Sequence, residues 1–236
     1  MTKSELAKRI EHTMLRPDAT RRDIEILCSQ AVEHGFCNVS VGPFWTKYCA
    51  ERLADTEVGV DTTVGFPLGA NTSYVKIEEA RDALQNGASE LDMVINIGAL
   101  RSGLYGLVEK EIASVVRIAH QKPVKVILEN SLLTNDEKRA VCEMSVEAGA
   151  SYVKTSTGFG KSGAQTKDIV LMREVVGDSV GIKAAGGIRT YKDAMAMIGA
   201  GADRIGTSAG PDVIAQALDG RMTGSTHPPR GSRSSQ

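Results

Sequence analysis

Apolar positions along the chain follow two alternating periods. Ile24, Leu27, Cys28, Ala31 and Val32 fall at i, i+3, i+4, i+7 and i+8, which is one face of a helix. Ile112, Val115, Val116 and Ala119 repeat that spacing, as do Val141, Met144 and Ala148. Between such segments lie short β-rich runs around 36–41, 58–65, 90–96, 123–129, 151–155, 180–185 and 203–207, with an eighth at 10–14. Four related phrases mark the transitions: "EHGFCNVSV", "QNGASELDMVI", "EAGASYVKTS" and "GAGADRIGTS". In each, a helical pattern stops at a glycine (Gly35, Gly87, Gly149 or Gly201) and a strand-like run follows. Glycine after a helix supplies the left-handed conformation that ends it.

Strands alternating with helices predict parallel βα units. Eight units in 236 residues fit an α/β fold of the (β/α)8 TIM-barrel type, a single domain whose usual length is ~250 residues. A doubly wound open sheet is the competing arrangement; count and length favour the barrel. The barrel is expected over residues 1–219. Residues 220–236, "GRMTGSTHPPRGSRSSQ", lack apolar periodicity and are rich in Gly, Ser, Pro and Arg. They read as a flexible C-terminal tail.

Composition removes several classes of function. Aromatics make up 4% of the chain, so the core must come from Val, Ile, Leu, Ala and Met. The 28 Lys and Arg balance 29 Asp and Glu, which gives no general pull toward nucleic acid or acidic membranes. No apolar run approaches the ~18 residues of a membrane helix. The start, "MTKSELAKRIEH", is too polar for a secretory signal. Cys28, Cys37, Cys49 and Cys142 form no C-x-x-C pair, so they read as reduced, mostly buried thiols of a cytoplasmic protein. The expected partners are small molecules, not nucleic acid or membrane, with room left for a homodimer.

Strand alternation then raises a chemical question. In a barrel one face of each strand meets the helices and the other lines the interior. In "SELDMVINI" Leu91, Met93 and Ile95 form the apolar face, which turns Asp92, Val94 and Asn96 inward. The same reasoning turns Lys183 inward in "VGIKAAGG", and Lys125, Ile127 and Glu129 inward in "PVKVILEN". In "SYVKTSTGFG" Lys154 shares a face with Tyr152 and Ser156. One inward lysine reads best as half of a structural ion pair. Three suggest more, because like charges and desolvation both lower a lysine's pKa. A lysine held partly neutral is a nucleophile toward carbonyls, and Asp92 could shuttle its proton. The set suggests Schiff-base chemistry, with Lys154 and Lys183 closest to the C-terminal strand ends where barrel active sites sit. Alternation does not say which of the two attacks.

Anion binding is indicated by the last loops. "AAGGIRT" supplies Gly186, Gly187 and Arg189, and "RIGTSAGPD" supplies Gly206, Thr207, Ser208 and Gly210. "TGFG" adds Gly158 and Gly160. Glycines admit a phosphate close to backbone N–H groups, a helix start adds its dipole, and barrels commonly bind phosphate after strands seven and eight. His12, His34, His120 and His227 are scattered, with no H-E-x-x-H, and no G-x-G-x-x-G opens a βα unit. Neither a metal nor another cofactor is expected.

Seven motifs in order, "IEHTMLRPDAT", "GFCNVSVGP", "ELDMVINIGAL", "KVILEN", "YVKTSTGFG", "GIKAAGGIRT" and "RIGTSAG", resemble those of the deoxyribose-phosphate aldolases, a class I aldolase family. The resemblance spans about residues 5–219. It implies reversible cleavage of 2-deoxy-D-ribose 5-phosphate to D-glyceraldehyde 3-phosphate and acetaldehyde, without metal. It makes Lys154 the Schiff-base lysine, Lys183 the second lysine and Asp92 the acid/base partner. Gly186, Gly187, Arg189, Gly206 and Ser208 match the phosphate end, and Thr13 and Thr157 match hydroxyls near the substrate; Gly158 of "TGFG" is a further candidate for substrate or phosphate binding. The rival readings are another Schiff-base aldolase of phosphorylated sugars and a non-catalytic phosphosugar-binding barrel.

The chain departs from the family pattern at several places. Glu11 stands where Asp is frequent, lengthening a carboxylate that would approach Lys183. Ala209 replaces a second serine at the phosphate end. Ser40 and Gly42 stand in "VSVGP", where the family often reads "VCVNP". The chain ends in Gln236 where some members carry a tyrosine that reaches the site.

Overall fold

The computed structural model describes residues 1–217. Eight parallel strands close into a barrel in sequence order, with the last hydrogen-bonded to the first. They are β1 (Ile10–Met14), β2 (Asn38–Val41), β3 (Gly59–Val64), β4 (Glu90–Val94), β5 (Val124–Ile127), β6 (Tyr152–Lys154), β7 (Gly181–Ala185) and β8 (Arg204–Thr207). The helices are α1 (Lys3–Ala7), α2 (Arg21–His34), α3 (Thr46–Leu53), α4 (Ser73–Gln85), α5 (Ile97–Arg101), α6 (Tyr105–Ala119), α7 (Asn135–Glu147), α8 (Thr166–Val176), α9 (Tyr191–Gly199) and α10 (Gly210–Ala215). Closure excludes the open sheet, and all eight expected strands are present. The expected tail, and the last two residues assigned to the barrel, lie outside the described residues. No described helix is long and apolar enough to cross a membrane.

Local signals place the helix ends. Thr20, Thr134 and Thr190 cap α2, α7 and α9, each in a reciprocal box with the acid three residues on. The four glycines of the repeated phrase all sit at positive φ, from 67° at Gly35 to 114° at Gly201. The chain can therefore leave each helix and re-enter the barrel within a few residues.

The apolar core is a sleeve outside the barrel. Val39, Val41, Leu91, Met93, Val126, Ile182 and Ile205 point outward and bury against the helices. Most inward positions are polar, with Val94 and Ile127 among the apolar exceptions. At two positions the structure departs from simple strand alternation. The fifth strand was expected to run to 129 and carry Glu129 inward, but it stops at Ile127. Glu129 adopts a left-handed φ of 56°, and its carboxylate turns to the backbone N–H and hydroxyl of Thr157. Asn96 likewise lies past the end of β4, where its side chain caps α5. In both cases the chain has left the pleat, so alternation no longer applies.

A buried ion pair ties α4 to α6 and to the end of β4. Lys76 on α4 donates to Glu111 on α6 and to the carbonyl of Val94, each at 2.7 Å. Both side chains are inaccessible to solvent. Glu111→Ala leaves the ammonium buried and unpaired, which should cost about 3–5 kcal/mol. Urea unfolding measures it, and a loss below ~1 kcal/mol would show that water or relaxation compensates.

Candidate active site

Inside the barrel, six strands bring together three ammonium groups and three fully buried carboxylates: Lys125, Lys154 and Lys183 with Glu11, Asp61 and Asp92. Register places Lys154 beside Lys183, and Asp92 beside Lys125. Asp92 Oδ2 accepts from Lys154 at 2.5 Å and from Lys183 at 2.6 Å. Its Oδ1 lies 3.2 Å from Lys125. Glu90 and Arg204 close the lower edge, 2.6 Å from Lys125 and 3.4 Å from Glu11 respectively.

The three lysines are not equivalent. Lys183 donates to Glu11, to Asp61 at 3.0 Å and to Asp92, which occupies all three of its N–H bonds. Lys125 lies within 3.5 Å of four carboxylates. Burial alone would lower both lysines, but these carboxylates outweigh it and hold both well above the ordinary lysine range. Lys154 has one carboxylate, which it shares. Burial lowers its pKa, Asp92 restores part of the loss, and the charge on Lys183 lowers it again. Asp92 resists burial because the three ammonium groups around it hold it well below the usual carboxylate range. For Asp61 the balance runs the other way: burial and the neighbouring Asp92 raise it to about 6 against the pull of Lys125 and Lys183.

Above Lys154 a cavity of about 380 Å³ opens at the C-terminal strand ends. Thr13 borders it from β1, and Thr157 and Gly158 follow β6. Gly186, Gly187 and Arg189 come from the loop after β7, and Gly206 and Ser208 from β8 and its loop. Lys154 and Thr207 complete the predicted residues that line the cavity, while Asp92 and Lys183 do not line it and sit behind Lys154. A wider hollow of about 960 Å³ lies at the opposite end, beside Tyr152, Gly181 and Asp203, and none of the interior lysines lines it. The Thr157 hydroxyl is already committed to Glu129, so Thr157 presents a fixed surface and not a free donor. Phe66 stands with its ring centroid 6.0 Å from Lys154 Nζ and packs edge-on against Phe159, an apolar flank that sequence reading did not identify.

Asp61 was also missed. Alternation within "VGVDTTV" puts it on the same face as Thr63, opposite Val60 and Val64, so the signal was there. Glu11 had entered only as a departure from a family pattern. Their carboxylates and that of Asp92 lie within 4.8 Å of one another, a spacing that could suit a cation. Three ammonium groups already hold those oxygens, so the donor set fits lysines better than a metal. Among the histidines, His12 is buried between Gln30 and the Thr207 carbonyl, and His34 and His120 end α2 and α6. His227 lies outside the described residues.

The sequence profile of the DeoC/LacD family aldolases matches residues 16–216. The chain belongs to that family. Among DeoC/LacD relatives, the deoxyribose-phosphate aldolase of Brevibacillus brevis is 54% identical over 218 residues, covering 92% of this chain and 97% of its own. A crystal structure from Coccidioides immitis superposes with a TM-score of 0.89 at 42% identity, covering 91% of this chain and 86% of its own. The tetrameric deoxyribose phosphate aldolase of Aeropyrum pernix gives 0.85 at 34% identity, covering 91% of each chain.

Within this DeoC/LacD site, Gly206 leaves little room for a side chain. A Cβ on Gly206 would lie 3.0 Å from Ala185 Cβ and 3.1 Å from Lys183 Cε. Gly206→Ala should push the Lys183 stem and destabilise the protein by about 1–3 kcal/mol. Thermal unfolding measures the loss, and an unchanged Tm would mean the stem shifts freely.

Proposed function

We propose that the protein is a class I aldolase that reversibly cleaves 2-deoxy-D-ribose 5-phosphate to D-glyceraldehyde 3-phosphate and acetaldehyde, with Lys154 as nucleophile. One observation carries the residue assignment: Lys154 is the interior lysine that has a single carboxylate partner and faces the cavity. The neutral amine attacks the C1 aldehyde of the open-chain sugar, and loss of water leaves a protonated imine. That imine draws electrons from the C2–C3 bond as the C3 hydroxyl gives up its proton, releasing D-glyceraldehyde 3-phosphate and leaving an enamine. Protonation at C2 and hydrolysis release acetaldehyde. Asp92, joined to both Lys154 and Lys183, moves these protons as general acid and base.

At the far wall the loops after β7 and β8 take the phosphate. Gly186 and Gly187 both sit at positive φ, a conformation that exposes their backbone N–H groups. Arg189 supplies the charge. α10 is six residues long, so its dipole adds little. Cytoplasmic location belongs to the same proposal. So does a homodimer: sedimentation should then give twice the 25.1 kDa chain mass.

Acetaldehyde with borohydride should leave an ethyl group on Lys154, located by peptide mapping. Label mainly on Lys183 or Lys125 would falsify the assignment. Lys154→Arg should abolish trapping, because a guanidinium stays protonated. Asp92→Asn should lower kcat by ~10²–10⁴-fold with little change in phosphate affinity; near-normal turnover would make Asp92 a structural group. Chelators should change neither activity, and inhibition by EDTA reversed by zinc would indicate metal-aided chemistry instead.

A further inference from the structure

The carboxylates of the cluster have unequal work. Asp92 touches the nucleophile and Glu11 neutralises Lys183, but Asp61 touches neither Lys154 nor the cavity. It is nevertheless fully buried and lies on a continuous hydrogen-bonded path. That path runs from Lys154 to Asp92 Oδ2 (2.5 Å), to Lys183 (2.6 Å), to Asp61 Oδ2 (3.0 Å) and ends at the Ser40 hydroxyl (2.7 Å). Every step is within hydrogen-bond reach, and acids and bases alternate along it.

We propose that Asp61 is a positioning residue that stores, inside the barrel, the proton that leaves Lys154 when its amine becomes free. The inference rests on Lys154 being the nucleophile. The transfer balances without any co-reactant. Lys154 gives a proton to Asp92 as Asp92 passes one to Lys183 and Lys183 passes one to Asp61. The sum is a Lys154 ammonium and an Asp61 carboxylate becoming an amine and a carboxylic acid. The net charge of the cluster does not change, so no uncompensated charge is left in a desolvated site.

The surroundings of Asp61 suit both of its forms. Lys125 on β5 (3.0 Å), Lys183 on β7 and Ser40 on β2 donate to its carboxylate. Glu11 on β1 and Asp92 on β4 oppose its charge, and burial raises its proton affinity to about 6. Lys154 on β6 lies beyond Asp92, and Glu90 and Arg204 complete the set at the lower edge. The Ser40 hydroxyl donates to the carboxylate and can turn to accept once Asp61 is protonated.

The test is the rate of acetaldehyde–borohydride trapping against pH, with the label mapped. In the native protein the rate should fall below about pH 6, where Asp61 already holds a proton and can take no other. In Asp61→Asn the store is gone, and Lys154 must release its proton to solvent. The acid limb should move up by at least about one unit, which lowers trapping at neutral pH by about tenfold or more. A purely electrostatic role gives the opposite sign, because removing a negative charge makes Lys154 easier to deprotonate and moves the limb down. An unmoved or lowered limb therefore overturns the proposal. Ser40→Ala, a small change that keeps Asp61, should raise the limb by about one unit through loss of a hydrogen bond to the charged form. It decides alone should Asp61→Asn not fold, and an unmoved limb there counts against the proposal. Label on Lys154 with unmoved limbs overturns this inference only; label on another lysine overturns the nucleophile assignment and this inference with it.

Discussion

Charge balance in the barrel interior is the constraint on which the rest of the site depends. Each buried ammonium group would cost several kcal/mol if left alone. The protein meets that cost by packing as many carboxylates as lysines into the same space. Asp92 is the joint, since it touches all three lysines. The distribution of the carboxylates then sets the order of proton affinities among the lysines. Lysines rich in partners stay charged, and the one with a single shared partner can lose its proton.

This interior explains why the apolar core lies elsewhere. Strands that spend one face on ion pairs bury their other face under the helices, where Val, Ile, Leu and Met from both layers meet. The helices and their caps thus hold the barrel rigid from outside while its lumen stays polar. Rigidity matters for a site of this type, because partner count sets proton affinity only if each lysine is held among its own partners.

The sequence revealed the parts of this arrangement that depend on local periodicity. Gly35, Gly87, Gly149 and Gly201 marked the strand starts, and alternation within "SELDMVINI" and "VGIKAAGG" turned Asp92 and Lys183 inward. Where the backbone leaves the pleat the same rule failed, as at Glu129 and Asn96. The choice between Lys154 and Lys183 could not be made from alternation at all. It depends on Glu11 and Asp61, which approach Lys183 across the lumen from sequence positions far away. Asp61 obeyed the rule yet stood apart from any quoted motif, and its significance appears only when its partners are seen. The loop glycines at 186 and 187 were legible as turns, whereas the tight packing around Gly206, which lies within β8, was not.

The positions of the charges divide the chain in two. The carboxylates come from β1, β3 and β4, and the ammonium groups from β5, β6 and β7, with Arg204 on β8. The first half of the barrel is an acid face and the second a basic one. Neither half could bury its lumen side by itself, because each would hold charges of a single sign. A nascent chain emerging from the ribosome therefore exposes its acidic half first and must keep it hydrated until the lysines arrive. Ring closure is in this sense a neutralisation, and it makes the two halves of the fold obligate counter-ions.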